Sequence, residues 1–226
     1  MDMVRRVRRL QSVGLKELFW RAARRVLRCE VVLVMAVALE EPWRETRPTV
    51  PDRPGMTFEW LDERSLSVLR RPGLGYDDQA TFELARMDRG DRCVAGFLDG
   101  EPVTYLWLTK GTRQVTGDEL KLTEGQVWIY KSYTHAKWRR QGLTQLLGRH
   151  ALERCADEGD RVAFVDMLSV NRPSVAAFRA IGFRTLGRYV ARNGSDGALR
   201  AEVPARLLDR IAALPATPPR AAPPPS

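Results

Sequence analysis

The spacing of apolar and polar residues changes several times along the chain, and each change marks an expected element. Residues 31–39 form an apolar run closed by Glu30 on one side and Glu40-Glu41 on the other, which reads as a buried strand. From position 56 onward, strand and helix signals alternate. Residues 56–61, 92–98 and 102–108 read as strands, and Asp99-Gly100 between the last two is a two-residue hairpin signal. Residues 62–69 and 77–87 read as short helices on either side of the break at Arg71-Pro72-Gly73. The stretch 110–125 reads as a polar loop. Residues 126–134, with Val127, Trp128, Ile129, Tyr130 and Tyr133, predict a strand. In 143–157, Leu143, Leu146, Leu147, His150, Leu152 and Cys155 recur at helical spacing before Gly159. An apolar strand at 162–168 comes next, then a helix opened by Asn171 and Pro173 and closed by Gly182. A strand at 183–190, a turn through 193–197, a strand at 198–203 and a helix at 205–214 complete the pattern.

The flanks differ in character from this core. Pro42, Pro48, Pro51 and Pro54 mark 42–55 as a linker, so the expected division is a basic helical extension with linker at 1–55, a folded domain at 56–203, and a C-terminal helix with a disordered Pro/Ala-rich tail at 204–226. The 226 residues are 44% hydrophobic, enough for a packed core. Formal net charge is +9, but residues 1–28 alone hold eight Arg and one Lys against Asp2 and Glu17, which leaves the remainder near neutral. In the second helical piece of that region, Leu15, Leu18, Phe19, Ala22 and Val26 share one side. Lys16, Arg21, Arg24, Arg25 and Arg28 fall mostly on the other. Such a helix either packs on the domain with its arginines solvated or makes peripheral contact with an anionic membrane through residues 1–28. Nucleic acid is disfavoured as a partner, because the body is near neutral and carries no recognition motif.

Cysteine and histidine add little. Cys29, Cys93 and Cys155 are far apart, with no CxxC spacing and only two His, so neither a disulfide framework nor a metal site is expected. The nine-residue run at 31–39 is far short of the roughly 20 residues that span a bilayer, and no small-residue cleavage site follows it. The expected location is cytoplasmic, with peripheral association at the inner membrane surface as the role open to the basic helix.

Chemistry concentrates in Lys137-Trp138-Arg139-Arg140-Gln141-Gly142-Leu143-Thr144, where a strand feeds a basic turn and the turn feeds a helix. The first turn of a helix presents unpaired N–H groups and the positive end of its dipole, which together bind phosphate, and glycine lets the backbone approach closely. This stretch resembles the acetyl-CoA loop of the GCN5-related N-acetyltransferase superfamily, Arg/Gln-x-x-Gly-x-Gly/Ala, with Arg139, Gly142 and Thr144 in its positions. Thr144 departs from the small residue of the pattern; its hydroxyl is expected to cap the helix or to touch phosphate. Downstream, Asn171, Ser174, Phe178, Gly182 and Phe183 resemble the second motif, Asn-x-x-Ala/Ser-x-x-x-Tyr-x-x-x-Gly-Phe, and the strand at 162–168 intervenes as it does in the family.

The resemblance covers about 56–203. It implies an α/β (α+β) fold with a mixed, mostly antiparallel sheet and helices on both faces. It implies acetyl-CoA, or another acyl-CoA, as co-substrate, with no metal. Arg139, Arg140, Gln141, Gly142, Leu143 and Thr144 would hold the pyrophosphate. Tyr133 and Thr134 would hold the pantetheine arm where two strands splay, and Asn171 and Phe178 would complete the channel. The acceptor would be an amine on a small molecule or peptide, attacked directly without a covalent enzyme intermediate. Phe178 stands where the family often has a proton-donating Tyr, so either Tyr130, Tyr133 or water returns the proton, or the thiolate leaves unprotonated. For the base, Asp166, Glu124 and His135 are candidates; Asp166 sits in an apolar strand, where an unpaired carboxylate is costly and an Arg partner is the plainer role. Tyr130 and Asp166 are thus the catalytic candidates. His150 reads as structural, and Trp60, Trp107, Trp128 and Trp138 as packing residues. Two rival functions remain at this level: an acyl-CoA-binding module without turnover, and an interaction protein recruited by its basic helix.

Overall fold

In a computed structural model, residues 29–40, 43, 50–70, 85–115, 118–193, 199–201 and 203–214 are described. The basic helical extension expected within 1–28, most of the 77–87 helix, the 193–197 turn beyond Asn193 and the expected disordered tail lie outside them. Residues 85–88 are helical.

Ten strands and three helices of more than eight residues follow in order among these residues: β1 (Cys29–Ala38), β2 (Met56–Leu61), β3 (Arg92–Leu98), β4 (Glu101–Thr109), β5 (Thr112–Val115), β6 (Asp118–Lys121), β7 (Gln126–Thr134), α1 (Leu143–Asp157), β8 (Val162–Leu168), α2 (Arg172–Ala180), β9 (Arg184–Asn193), β10 (Leu199–Arg200) and α3 (Ala205–Ala213). Eight strands form one sheet in the order β10-β9-β1-β8-β7-β4-β3-β2, antiparallel at every junction except β7–β8. Asp99 (φ 50°) and Gly100 (φ 82°) make the expected tight turn between β3 and β4. The mixed, mostly antiparallel sheet with helices on both faces is as expected.

Alternation along β7 builds two cores. Val127 and Ile129 pack with Leu143, Leu146, Leu147, Ala151 and Leu152 of α1 on one face. Trp128 and Tyr130 join Trp107, Phe164, Leu207 and Ile211 on the other, beneath α3. Glu158, just past α1, accepts hydrogen bonds from Arg92, Lys110 and Arg154 and so ties α1 to β3 and to the end of β4.

Four expectations need correction. The folded unit does not begin at Met56, because β1 is an interior strand between β8 and β9, with Val32, Val34, Met35 and Val37 buried. The linker also packs back in part, since Arg149 donates from Nη1 to the Val50 carbonyl (2.7 Å) and from Nη2 to Asp52 (2.7 Å). Residues 110–125 are not simply a loop: β5 and β6 pair there as a separate hairpin. The helix expected at 62–69 is a 3-10 turn, Ser65–Arg70, whose start Asp62 caps by accepting from Ser65 N (2.8 Å).

Candidate active site

β7 and β8 pair in parallel from Gln126↔Val162 to Ile129↔Val165 and then part. A bulge in β7 follows directly on the last β7–β8 pair. Tyr105 pairs with Tyr133 and Trp107 with Tyr130, so Leu106 alone faces Lys131 and Ser132, and Lys131 adopts φ 48°. The extra residue also sets Tyr130 and Tyr133 on the same face, where Tyr133 stacks on Tyr105 (5.8 Å between centroids) and Tyr130 packs against Trp107 (6.5 Å).

A cleft of about 980 Å³ lies where the strands part, walled by the end of β7, the basic turn, the start of α1 and one side of α2. Tyr133, Thr134, Arg139, Arg140, Gly142, Leu143, Thr144 and Asn171 all line it, together with Ser132, Lys137 and Ser174. Gly142 is the N-cap of α1 at φ 76°, the left-handed conformation for which glycine is suited, and Arg140 precedes it at φ 62°. The Arg139 guanidinium folds back on β7, donating from Nε to the Thr134 carbonyl (3.1 Å) and from Nη2 to the Tyr133 hydroxyl (3.4 Å). Asn171 caps α2 by accepting from Ser174 N (3.4 Å), and Pro173 sits in the first turn.

Two expected cofactor residues do not line the cleft. Phe178 is 2% exposed and meets Phe183 edge-on at 5.3 Å in the α1-side core. Counting seven from Asn171 aims it at the cleft, but Asn171 is a non-helical cap; on α2 itself Val175 and Phe178 form the buried side, whereas Pro173, Ser174, Ala176 and Ala177 face the cleft. Gln141 also turns outward, accepting from Arg53 Nη1 (2.7 Å). Thr144 neither caps α1 nor reaches free into the cleft. Its hydroxyl meets Thr134 Oγ1 (3.0 Å), which meets Thr104 Oγ1 (2.9 Å), which donates to the Tyr133 carbonyl (2.8 Å). The last acceptor consumes the single Thr104 proton, so Thr134 must donate to Thr104 and Thr144 to Thr134. The chain of hydroxyls staples the start of α1 to the bulged end of β7.

Of the catalytic candidates, Asp166 is at the parting point, where one further β7–β8 pair would set it opposite Tyr130. Its Oδ1 accepts from Trp128 Nε1 (2.6 Å) and Arg113 Nη2 (3.3 Å), the expected Arg partner plus an unforeseen indole. The Tyr130 hydroxyl donates to Asp91 Oδ2 (2.6 Å); burial first, then that bond, push its pKa up, so it stays protonated. Asp91, Arg86 and Arg113 escaped sequence reading, because their link to Tyr130 depends on long-range pairing. His135 Nδ1 accepts from Lys137 N (3.2 Å) and so serves the turn. Glu124 is exposed in the turn before β7, at the opposite end of that strand from the splay. His150 stacks on Phe58 (4.6 Å), and burial holds its pKa below the usual value. The buried Cys155 thiol is pushed up to about 12 by desolvation, a packing group rather than a nucleophile.

No curated protein matches the chain. A GCN5-related N-acetyltransferase from Sphaerobacter thermophilus is similar at TM-score 0.52 and 18% identity, over 75% of this chain and 55% of that one. A GCN5-related N-acetyltransferase from Kribbella flavida is similar at 0.46 and 20%, over 69% and 54%. A Salmonella typhimurium protein solved with its cofactor acetyl-CoA is similar at 0.40 and 19%, over 57% and 80%. The chain spans 50%, 63% and 54% of the length of three of its solved structural relatives. Identities this low speak to the fold, and of these three the Sphaerobacter structure supports it. The sequence match is more specific: residues 40–183 fit the model of the Acetyltransferase (GNAT) family, and the chain belongs to that family.

Proposed function

We propose that the chain transfers an acyl group, acetyl in the simplest case, from acyl-CoA to an amine. The observation that carries this is the cleft itself, open along the unpartnered side of β7 and ending on the N-terminus of α1. Its residues fit coenzyme A. Arg140, Lys137 and the first-turn N–H groups behind Gly142 suit a pyrophosphate, while Thr134, Ser174 and the Asn171 side chain suit the amide-bearing arm. Bound there, the co-substrate supplies an acyl thioester, already activated for attack by an amine.

The protein's own groups then orient the reactants and handle protons. Both hydrogen bonds to Asp166 converge on Oδ1, so Oδ2 is the atom assigned to take the amine proton. Tyr133, which lines the cleft and whose hydroxyl accepts from Arg139, is assigned to return a proton to sulfur, the role that buried Phe178 does not fill. A thiol pKa near 8.5 keeps that step mild near neutrality.

Calorimetric titration with CoA, paired with release of free thiol from acetyl-CoA across a panel of amines, tests the reading. Wild type is expected to bind CoA and release thiol in an amine-dependent way. Gly142→Glu, which puts a carboxylate at the phosphate end, and Arg139→Gln are expected to weaken CoA binding by tenfold or more. Absence of CoA binding at millimolar concentration would overturn it; CoA binding with no turnover for any amine would leave only the binding module.

A further inference from the structure

On the face of the sheet opposite α1, a second hollow of about 520 Å³ opens beside Tyr130, at the level where β7 and β8 part. Its lining includes Arg86, Arg89, Arg113, Asp91 and Tyr130. The Arg86 guanidinium lies 5.3 Å from the Tyr130 ring centroid and 5.7 Å from that of Trp107, and Arg113 lies 4.8 Å from Tyr130. One phenol thus supports two cations.

Both guanidinium groups have donors to spare. Arg86 Nη1 and Arg113 Nε are buried and have no hydrogen-bond partner among the described residues. Arg113 spends Nη2 on Asp166 (3.3 Å), and among the described residues Arg86 makes no ion pair within 4.0 Å. Buried N–H groups on a charged side chain are rarely left unsatisfied, and two around one hollow call for an acceptor. Among the described residues, the carboxylates lining the hollow do not supply it. Asp91 takes the Tyr130 hydroxyl (2.6 Å) and faces Arg89 at 3.9 Å, while Glu119 stands exposed at the rim. Arg113 pairs with Asp166 and Arg89 faces Asp91, which leaves Arg86 as the lining cation with no described carboxylate against it, and Tyr130 keeps its proton and adds no negative charge.

We infer that this hollow holds an anionic group of the acyl acceptor, a carboxylate or phosphate carried on the same small molecule as the reacting amine. The inference rests on the acyl-transfer reading above, since it is the splay between cleft and hollow that makes this the acceptor side. Planar guanidinium forks match the oxygen spacing of both anions, and a hollow of this size suits a molecule as small as an amino acid or a phosphorylated amine.

The test separates the inference from the reading beneath it. With the cleft saturated by CoA, wild type is expected to gain melting temperature with acetate or inorganic phosphate, and Arg86→Gln to lose at least tenfold in that anion's affinity. Arg86→Lys, which keeps the charge but not the fork, should fall between them. In the thiol-release assay, amino acids should exceed their amides, or phosphoethanolamine should exceed ethanolamine, by at least tenfold in kcat/KM. Arg86→Gln should erase that preference through KM. Which pair responds tells carboxylate from phosphate. Equal use of neutral and anionic amines, or anion binding indifferent to Arg86, would overturn the inference while acyl transfer stands. If CoA does not bind, acyl transfer falls, and the same anion titration on the free protein still decides whether Arg86 serves an anion. Should Arg86→Gln fail to fold, Arg113→Lys and the acid-against-amide comparison in wild type carry the decision.

Discussion

At the residue scale, Asp166 is the group on which the proposed proton transfer turns. Its side chain is 16% exposed, and its Oδ1 holds an indole N–H and a guanidinium together. A purely structural carboxylate and a base make opposite demands on a substitution. Asp166→Asn keeps an oxygen for Trp128 and Arg113 but removes the basic site. If Oδ2 takes the amine proton, kcat should drop by about 10²–10⁴ with CoA affinity unchanged and only a small loss of melting temperature. If Asp166 only secures Arg113, melting temperature should fall while kcat stays within a few-fold, so parallel turnover and melting measurements separate the roles. The residues that sequence reading could place carry local signals: Gly142 sits at a positive φ before a helix, and Asn171 caps one. The Tyr130–Asp91 bond joins positions 39 apart, and no local pattern contains it. Phe178 was misplaced because counting from the cap Asn171 begins one residue outside the helix, where the helical angle does not yet hold.

At the scale of elements, the cleft depends on how the end of β7 is held. Beyond Ile129 that strand has β4 as its only strand partner among the described residues, and its ladder is bulged at Lys131. The Thr144–Thr134–Thr104–Tyr133 chain replaces the lost support, with Thr104 fully buried at its root. Thr104→Val leaves the Tyr133 carbonyl without that donor and the Thr134 hydroxyl without its acceptor, which should cost about 1–3 kcal/mol in denaturant unfolding. Thr144→Val removes only the outermost donor, and about 1 kcal/mol is expected. Both should weaken CoA binding, Thr104→Val more, although Thr104 is not among the residues lining the cleft. An effect of Thr144→Val larger than that of Thr104→Val would contradict the direction assigned to the chain. Strand β7 itself was legible from its alternation, but a bulge is invisible to alternation, since it shows only once a partner is aligned. The β5–β6 hairpin was missed for a related reason: its short strands have no apolar stripe.

At the scale of the molecule, the position of β1 joins stability to function. Its apolar run was readable as a buried strand, whereas the four prolines behind it suggested a boundary that the sheet does not respect. β1 pairs with β9 on one side and with β8 on the other, including Val32↔Leu168, Leu33↔Met167 and Val34↔Asp166. Those are the β8 residues that β7 has already left, so β1 is the strand that keeps that stretch of β8 in the sheet. It therefore holds one lip of the splay and the backbone of Asp166. A protein lacking residues 1–38 would leave 166–168 with no strand on either side and would remove Val32, Val34, Met35 and Val37 from both cores. Burial of each such side chain is worth about 1.5–3 kcal/mol, and their loss together approaches the 5–15 kcal/mol that stabilises a domain. That truncation is expected to show no cooperative thermal transition by circular dichroism and no CoA binding. A fragment starting at Met56 that still melts cooperatively and binds CoA would show instead that β8 holds its course unaided, and that β1 only extends a sheet already complete.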